Sequence, residues 1–174
     1  MAATVVISES NGTSPTITHG ITNTNMGSAD TVNLVVGTST AITAGTNSFE
    51  KWQRFEITSM GTSTAIKNLK VWASAGLASF ATHKTNARTT SWGGAQSFDT
   101  VNGPLATDRS ATYGYTQTMP TSEPASANVG IGGSLTGELT GTGYSDYMIM
   151  QIQTTASAVA GTSVTMNYQY DEYA

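Results

Sequence analysis

The sequence predicts an all-β protein: a single domain, residues 1–174, folded as an antiparallel β-sandwich of jelly-roll or immunoglobulin-like topology. Thr and Ser make up more than a quarter of the 174 residues, and 18 more are Gly. Thr favours strands because its branched Cβ fits a pleated surface, whereas Gly and Ser favour turns. Alternation with period two recurs along the chain, and no stretch has a convincing helical period. Seven or eight strands without covering helices imply two sheets packed face to face.

The N-terminal part of the chain contains three predicted strands. The first runs over Thr4–Ser8, inside a segment (1–14) that forms an N-terminal arm or an edge strand. In the second, 16–22, alternation places Ile17, His19 and Ile21 on one face. The third, 31–36, is predicted to place Val32, Leu34 and Val36 on one side.

A banded strand follows at "NSFEKWQRFEIT", residues 47–58. Phe49, Phe55 and Ile57 share one parity and are expected to face the core, interrupted by Lys51 and Gln53. The other parity predicts an outward row, which comprises Glu50, Trp52, Arg54, Glu56 and Thr58. Charges on an edge strand can simply block unwanted sheet pairing. Trp and Arg are also enriched at binding hot spots, so this row is equally a candidate protein contact.

Later stretches predict further strands. "NLKVWAS", 68–74, is expected to bury Leu69, Val71 and Ala73, and a short strand is predicted over 77–81. One helical turn is the alternative within "GLASFATHKT", 76–85. The chain closes with a predicted antiparallel hairpin of "YMIMQIQTT" and "SVTMNYQY", preceded by a small glycine-rich hairpin near 130–143. In the closing hairpin, Met and Ile of one strand would pair with Val, Met and Tyr of the other on a buried face, and its Gln and Asn side chains would look outward.

Residues 82–130 form a long loop-rich segment in which the strand pattern weakens. Four of its aromatic residues are candidate interface residues: Trp92, Phe98, Tyr113 and Tyr115. Loops of this length are uncommon in compact domains unless they have a function, and so many aromatics argue against plain disorder. Two alternatives remain: further short strands, or an excursion that becomes ordered against a neighbouring subunit.

Composition and motifs exclude several function classes. A net charge of −4, with seven dispersed basic residues, argues against nucleic-acid binding. The chain has no cysteine, no metal-ligand spacing, and no apolar run long enough for a signal peptide or a membrane span. His19 is interpreted as a half-buried structural residue and His83 as a residue of a polar surface loop. The prediction is therefore a non-enzymatic protein without cofactor or metal.

Three stretches together resemble structural proteins of tailed bacteriophages and related environmental viruses. They are "NSFEKWQRFEIT", "IKNLKVWASAG" and "YSDYMIMQIQTTASAVAGTSVTMNYQYDEY". The resemblance implies a capsid decoration, or cement, protein that is made in the host cytoplasm and binds the outside of the virion. Its implied partners are the major capsid protein and further copies of itself, as a homo-oligomer and most often a trimer. The candidate contact residues are Trp52 and Arg54, the segment 92–98, and Tyr113 and Tyr115.

A tail or fibre adhesin that binds host glycans is the alternative function. Lectins of this fold class stack sugars on exposed aromatic rings and bind hydroxyl groups through Asn, Asp and Gln. Trp52, Trp72, Trp92 and the tyrosine-rich C-terminal part could supply such rings. Burial of these tryptophans in the core would exclude them as sugar platforms, so their exposure decides between the two functions.

Overall fold

The computed structural model describes residues 1–11, 16–86, 117–159 and 163–174, and these residues form nine β-strands and no helix. The strands are β1 (Thr4–Asn11), β2 (Thr16–Thr18), β3 (Lys51–Ser59), β4 (Ala65–Ala73), β5 (Ala81–Thr85), β6 (Gln117–Thr118), β7 (Gly143–Tyr144), β8 (Met148–Thr154) and β9 (Met166–Tyr173). All pairings between them are antiparallel. The all-β, antiparallel prediction is confirmed.

The strands form two sheets. The larger sheet has the order β2-β1-β3-β8-β5-β6, and β7 pairs with β3 on the same edge as β8. The smaller sheet pairs β4 with β9, with a register shift between Lys67 and Lys70. Asn68 lies in this shift with a φ of 56°, a left-handed conformation that Asn tolerates better than most residues. The shift therefore falls where the sequence has a residue suited to it.

One apolar core receives side chains from both sheets. The larger sheet supplies Phe55, Ile57, Met148 and Met150, and β4 supplies Ile66, Leu69, Val71 and Ala73. The ring of Tyr168 on β9 meets that of Phe55 edge to face, with centroids 6.0 Å apart. The predicted core positions of Phe55 and Ile57 on β3 and of Leu69, Val71 and Ala73 on β4 are thus confirmed. Phe49, predicted to face the core with them, precedes β3 and is half-buried outside this core.

The predicted closing hairpin is wrong in its pairing. Both of its strands exist, but β8 pairs with β3 and β5, and β9 pairs with β4 in the other sheet. The apolar residues of the two strands meet across the core instead of side by side. Gln151, expected outside, is fully buried. Alternation identifies a strand's two faces, but it does not identify the strand's hydrogen-bonded neighbour.

The strand predicted over 31–36 is also wrong, because this segment forms turns. Asn33 adopts a φ of 51°, which breaks an extended chain. Its Oδ1 accepts hydrogen bonds from the backbone N–H groups of Thr22 and Asn23, at 2.7 and 3.2 Å. Of the apolar residues here, Leu34 is buried, whereas Val35 and Val36 are exposed. Asn33 therefore joins this turn to a segment ten residues earlier, a contact that the period-two pattern does not contain.

The segment 76–85 holds neither the predicted strand over 77–81 nor a helical turn. The strand in this segment is β5, which begins at Ala81 and pairs with both β8 and β6. In the glycine-rich segment, Ile131 and Ser134 form a two-residue hairpin through Gly132 and Gly133, whose φ values are 60° and 79°. Glycine reaches these angles at little cost, so the small hairpin follows its sequence signal.

A buried polar network interrupts the core at β1 and β3. The Lys51 ammonium lies 2.7 Å from Glu9 Oε1, and the Gln53 amide donates to Glu9 Oε2 at 2.7 Å. The Tyr168 hydroxyl of the second sheet donates to Gln53 Oε1 at 2.7 Å. Lys51 Nζ also donates to the carbonyl oxygen of Thr31, at 2.6 Å. Buried charges of this kind are tolerated only when they are paired and hydrogen-bonded.

Candidate interaction site

The row of β3 predicted to face outward is mostly buried, so that prediction is wrong. Trp52 is 2% exposed, Glu50 7% and Glu56 9%, and Thr58 alone among the five is classed as exposed. Ile149 of β8, which lies opposite Trp52 in the sheet, is also fully buried. Both faces of β3 are therefore largely covered, and its edges pair with β1 on one side and with β7 and β8 on the other, so its charges do not protect an open edge.

Trp52 belongs to a small apolar cluster with Ile149 and Tyr147. Its ring meets that of Tyr147 edge to face, with centroids 5.7 Å apart. The indole N–H donates to Glu50 Oε2 at 2.7 Å, which satisfies its one polar group. Trp52 is therefore a core residue within the chain, and neither a protein-contact residue nor a sugar-stacking platform.

Arg54 is half-buried and lies among tyrosine rings. Its guanidinium carbon lies 3.6 Å from the ring centroid of Tyr144 and 4.8 Å from that of Tyr147. Stacking of this kind contributes about 0.5–2 kcal/mol, depending on desolvation. Tyr147 thus contacts both Trp52 and Arg54, so the structure brings these two candidates together, but within the fold and not on an open surface.

The remaining interface candidates, Trp92, Phe98, Tyr113 and Tyr115, lie outside the described residues, as does most of the loop-rich segment 82–130. Trp72, a possible sugar platform on β4, is half-buried.

Glu56 joins a serine and a histidine in an arrangement that resembles parts of a hydrolase site. Ser8 Oγ donates to Glu56 Oε2, and His19 Nδ1 lies 2.8 Å from the same oxygen. Burial raises the pKa of Glu56. The hydrogen bonds with Ser8 and His19 and the charge of His19 lower this pKa by more, so the net shift is downward. A triad requires the serine to bond to the imidazole. Here the carboxylate lies between them, so His19 is not placed to activate Ser8.

The described residues contain no group of three or more His, Cys, Asp or Glu side chains placed to hold a metal ion. Across the same residues no helix is both long and apolar enough to cross a membrane.

Three valines outside the strands are strongly exposed. Val35 is 81% exposed, Val36 58% and Val159 67%. Val36 and Val159 come from distant parts of the chain yet line one cavity of about 610 Å³. We refer to these two residues, together with Val35, which precedes Val36 in the chain, as the valine rim. Apolar groups this exposed around a concave opening are typical of a binding surface.

The cavity below the valine rim lies between the two sheets. Ala81, His83, Ile152 and Thr154, on β5 and β8, line one side, and Met166 at the start of β9 lines the other. Its walls are thus continuous with the core that the two sheets share.

His83 is the residue that sequence reasoning placed most wrongly. It was expected in a polar surface loop, but it lies on β5 opposite Ile152 and is 5% exposed. Among the described residues neither of its ring nitrogens has a hydrogen-bond partner, and burial lowers its pKa to about 4. The polar residues around His83 in "ATHKTNAR" are typical of a surface loop. The pattern that indicates a strand is that Ala81, His83 and Thr85 have the same parity and so share one face.

No protein-family model, curated protein or solved structure matches the chain.

Proposed function

We propose that this protein is a non-enzymatic structural component of a virion: a capsid decoration protein that binds the outer shell and ties neighbouring capsomers together. It is made in the host cytoplasm and acts at the capsid exterior. Its partners are the major capsid protein and other copies of itself, in a homo-oligomer, most simply a trimer. The fold proposed for it is a β-sandwich of jelly-roll or immunoglobulin-like topology, which is supported by the core that β3, β4 and β8 share.

The valine rim is the observation that carries this proposal. Burying one valine side chain contributes about 1.5 kcal/mol or more, so three exposed valines leave substantial binding energy unused in the isolated chain. Two of them, Val36 and Val159, come from segments outside the strands that are far apart in sequence, and the fold brings them together. A surface of this kind suits an apolar protein partner better than a glycan, which needs exposed aromatic platforms.

The buried polar network that joins the two sheets supports a mechanical role. The Glu9–Lys51–Gln53 network bonds β1 to β3, and the Tyr168 hydroxyl connects it to the second sheet. A preorganised surface loses little conformational entropy when it binds, so more of the buried area appears as affinity. Repeated over many copies on a shell, modest contacts of this kind add up.

Co-sedimentation with empty shells tests the proposal. The shells are assembled from the major capsid protein encoded in the same genome, and the protein is added at increasing concentrations. We expect saturable binding. The double variant Val35→Ser/Val36→Ser should weaken it about tenfold or more, because about 1.4 kcal/mol of lost apolar contact is a factor of ten.

Ile17→Ser is the matched control. Ile17 is 37% exposed on β2 and does not line the cavity, so its replacement should leave shell binding unchanged. Absence of binding by the native protein to intact shells would contradict the proposal. Saturable binding to a glycan array by the native protein, together with silence towards shells, would favour the adhesin instead.

A further inference from the structure

The cavity below the valine rim has the size and lining of a small-molecule site. Its volume of about 610 Å³ lies within the range of about 300–1,000 Å³ that ligand pockets span. Apolar side chains dominate the walls, among them Met26, Phe80, Ile152 and Met166. An occupant would therefore bind mainly through apolar contact.

The walls also define the charge of the occupant. Among the described residues that line the cavity, none is acidic or basic apart from His83. Burial lowers the pKa of His83 to about 4, so this residue is neutral near pH 7. An ionised ligand would lose its hydration without gaining a counter-charge, which is strongly unfavourable. The site therefore favours an uncharged molecule.

His83 supplies an independent observation that points to a ligand. His83 lines the cavity, it is more than nine-tenths buried, and among the described residues neither ring nitrogen has a hydrogen-bond partner. A neutral imidazole carries one donor and one acceptor, and buried groups of this kind are nearly always hydrogen-bonded in native proteins. Within the described chain this hydrogen-bonding capacity is unused.

We propose that the cavity binds an uncharged amphiphile, an aliphatic or aromatic molecule with one hydroxyl-like group, and that His83 bonds this group when its ring turns a nitrogen towards the ligand. A hydroxyl can both donate and accept, so it satisfies either tautomer of the neutral ring. The apolar part of the molecule fills the space between Ile152 and Met166. The site shares Val36 and Val159 with the valine rim, but its occupant is a small molecule and not the shell, so the two proposals are tested separately.

Fluorescence of N-phenyl-1-naphthylamine, an uncharged apolar dye, tests the site on the isolated full-length protein. We expect a saturable increase in dye fluorescence. 1-Octanol should displace the dye, whereas octanoate and the octylammonium ion should do so at least about tenfold less well, because the cavity offers no counter-charge. Absence of saturable dye binding, or equal displacement by octanoate, would overturn the proposal.

Two variants block the cavity. Ala41→Trp fills it from an exposed position in the wall, and Val36→Asp places a charge at its mouth. Each should weaken dye binding about tenfold or more. The Trp side chain takes up the space in which the dye makes apolar contacts, and the Asp carboxylate would have to lose hydration when the dye binds. Ala125→Trp, at an exposed bend that does not line the cavity, is the matched control and should bind as the native protein does. Native-like dye binding in both cavity variants would place the dye elsewhere and refute the site.

His83→Phe separates the polar contact from the apolar ones. We expect the variant to bind the dye, while displacement by 1-octanol weakens about tenfold relative to the native protein. Unchanged displacement by 1-octanol would refute the role of His83. Dye results are read separately from shell co-sedimentation: loss of one with retention of the other refutes only the proposal that it tests.

Discussion

The ammonium of Lys51 lies 2.7 Å from the carboxylate of Glu9, and the two side chains are 1% and 0% exposed. This pair bonds the two longest neighbouring strands of the larger sheet from the side that faces the core. Additional donors from Gln53 and Asn11 complete the hydrogen bonding of the carboxylate. Without such partners, two charges in this position would cost more free energy than their attraction returns.

Replacing Lys51 with Met should destabilise the protein by about 3–5 kcal/mol, because Glu9 is left charged and unpaired in the interior. The double variant Glu9→Leu/Lys51→Met should be more stable than Lys51→Met, since it removes both charges. Urea unfolding of the native protein, Glu9→Leu, Lys51→Met and the double variant measures the coupling free energy between the two side chains.

The exposed pair Lys70–Glu123 provides the control. Its N–O distance is also 2.7 Å, but half of the glutamate side chain is exposed. Glu123→Ala should change the free energy of unfolding far less than Lys51→Met, because solvent screens an exposed pair. Equal effects at both pairs would mean that burial does not set the strength of the Glu9–Lys51 interaction.

Trp52→Ala should destabilise the protein by about 3–5 kcal/mol, as expected when a buried aromatic side chain is truncated and leaves a cavity. Trp72→Ala should cost less, since Trp72 is half-buried on β4. Urea unfolding at neutral pH compares them. A larger loss for Trp72→Ala than for Trp52→Ala would contradict the placement of Trp52 in the core.

Sequence patterns predicted which residues of β3 and β4 face the core, because apolar residues at period two leave few other arrangements. They did not predict the pair Glu9–Lys51, since charge alone indicates a surface position, and the partners are 42 residues apart. For the same reason the pattern could not show that β8 and β9 lie in different sheets. Pairing depends on long-range contacts that local alternation does not contain.

The candidate site was less accessible to sequence reasoning than the fold. The residue types of Trp52 and Arg54 suggest an interface, but the rings of Tyr144 and Tyr147 pack on this side of β3, which alternation along β3 does not reveal. Val35 and Val36 were assigned to a strand, and the turn at Asn33 exposes them instead. The burial of His83 can be predicted only if the start of β5 is known, and the polar residues beside His83 do not indicate where this strand begins.

The side chain of Asn128 hydrogen-bonds the backbone of β4 in the way that a neighbouring strand would. Its side-chain Oδ1 accepts from the backbone N–H of Val71, and its Nδ2 donates to the carbonyl oxygen of the same residue, both at 2.8 Å. Asn128→Asp removes the donor and directs a carboxylate oxygen at a carbonyl oxygen. We expect a loss of about 1–3 kcal/mol in urea unfolding, since a buried acceptor loses its partner.

Asn167→Asp is the matched control for this substitution. Asn167 lies on β9, and within the described part of the chain its side chain makes one long exposed bond, 3.4 Å from Nδ2 to the carbonyl oxygen of Thr165. Its replacement should change the free energy of unfolding by less than about 0.5 kcal/mol. If Asn167→Asp destabilises as much as Asn128→Asp, added charge and not the backbone pairing explains the effect.

His83 should make stability depend on pH in mildly acidic solution. Burial lowers its pKa from 6.5 to about 4, so the unfolded chain binds a proton at His83 that the folded chain excludes. Stability is therefore highest above pH 6.5, falls as the pH decreases towards 4, and changes no further through this group below that value. The shift corresponds to about 3 kcal/mol between these limits.

His83→Phe removes this proton linkage, so the difference in free energy of unfolding between the native protein and the variant should change by about 3 kcal/mol from pH 7 to pH 4. Urea unfolding at intervals of half a pH unit measures it. Glu56 does not confuse the comparison, because its pKa is lowered below its ordinary value of 4.5 and it is present in both proteins. Parallel stability curves for the two proteins would show that His83 titrates alike in the folded and unfolded chains, and that its ring is not held neutral in the interior.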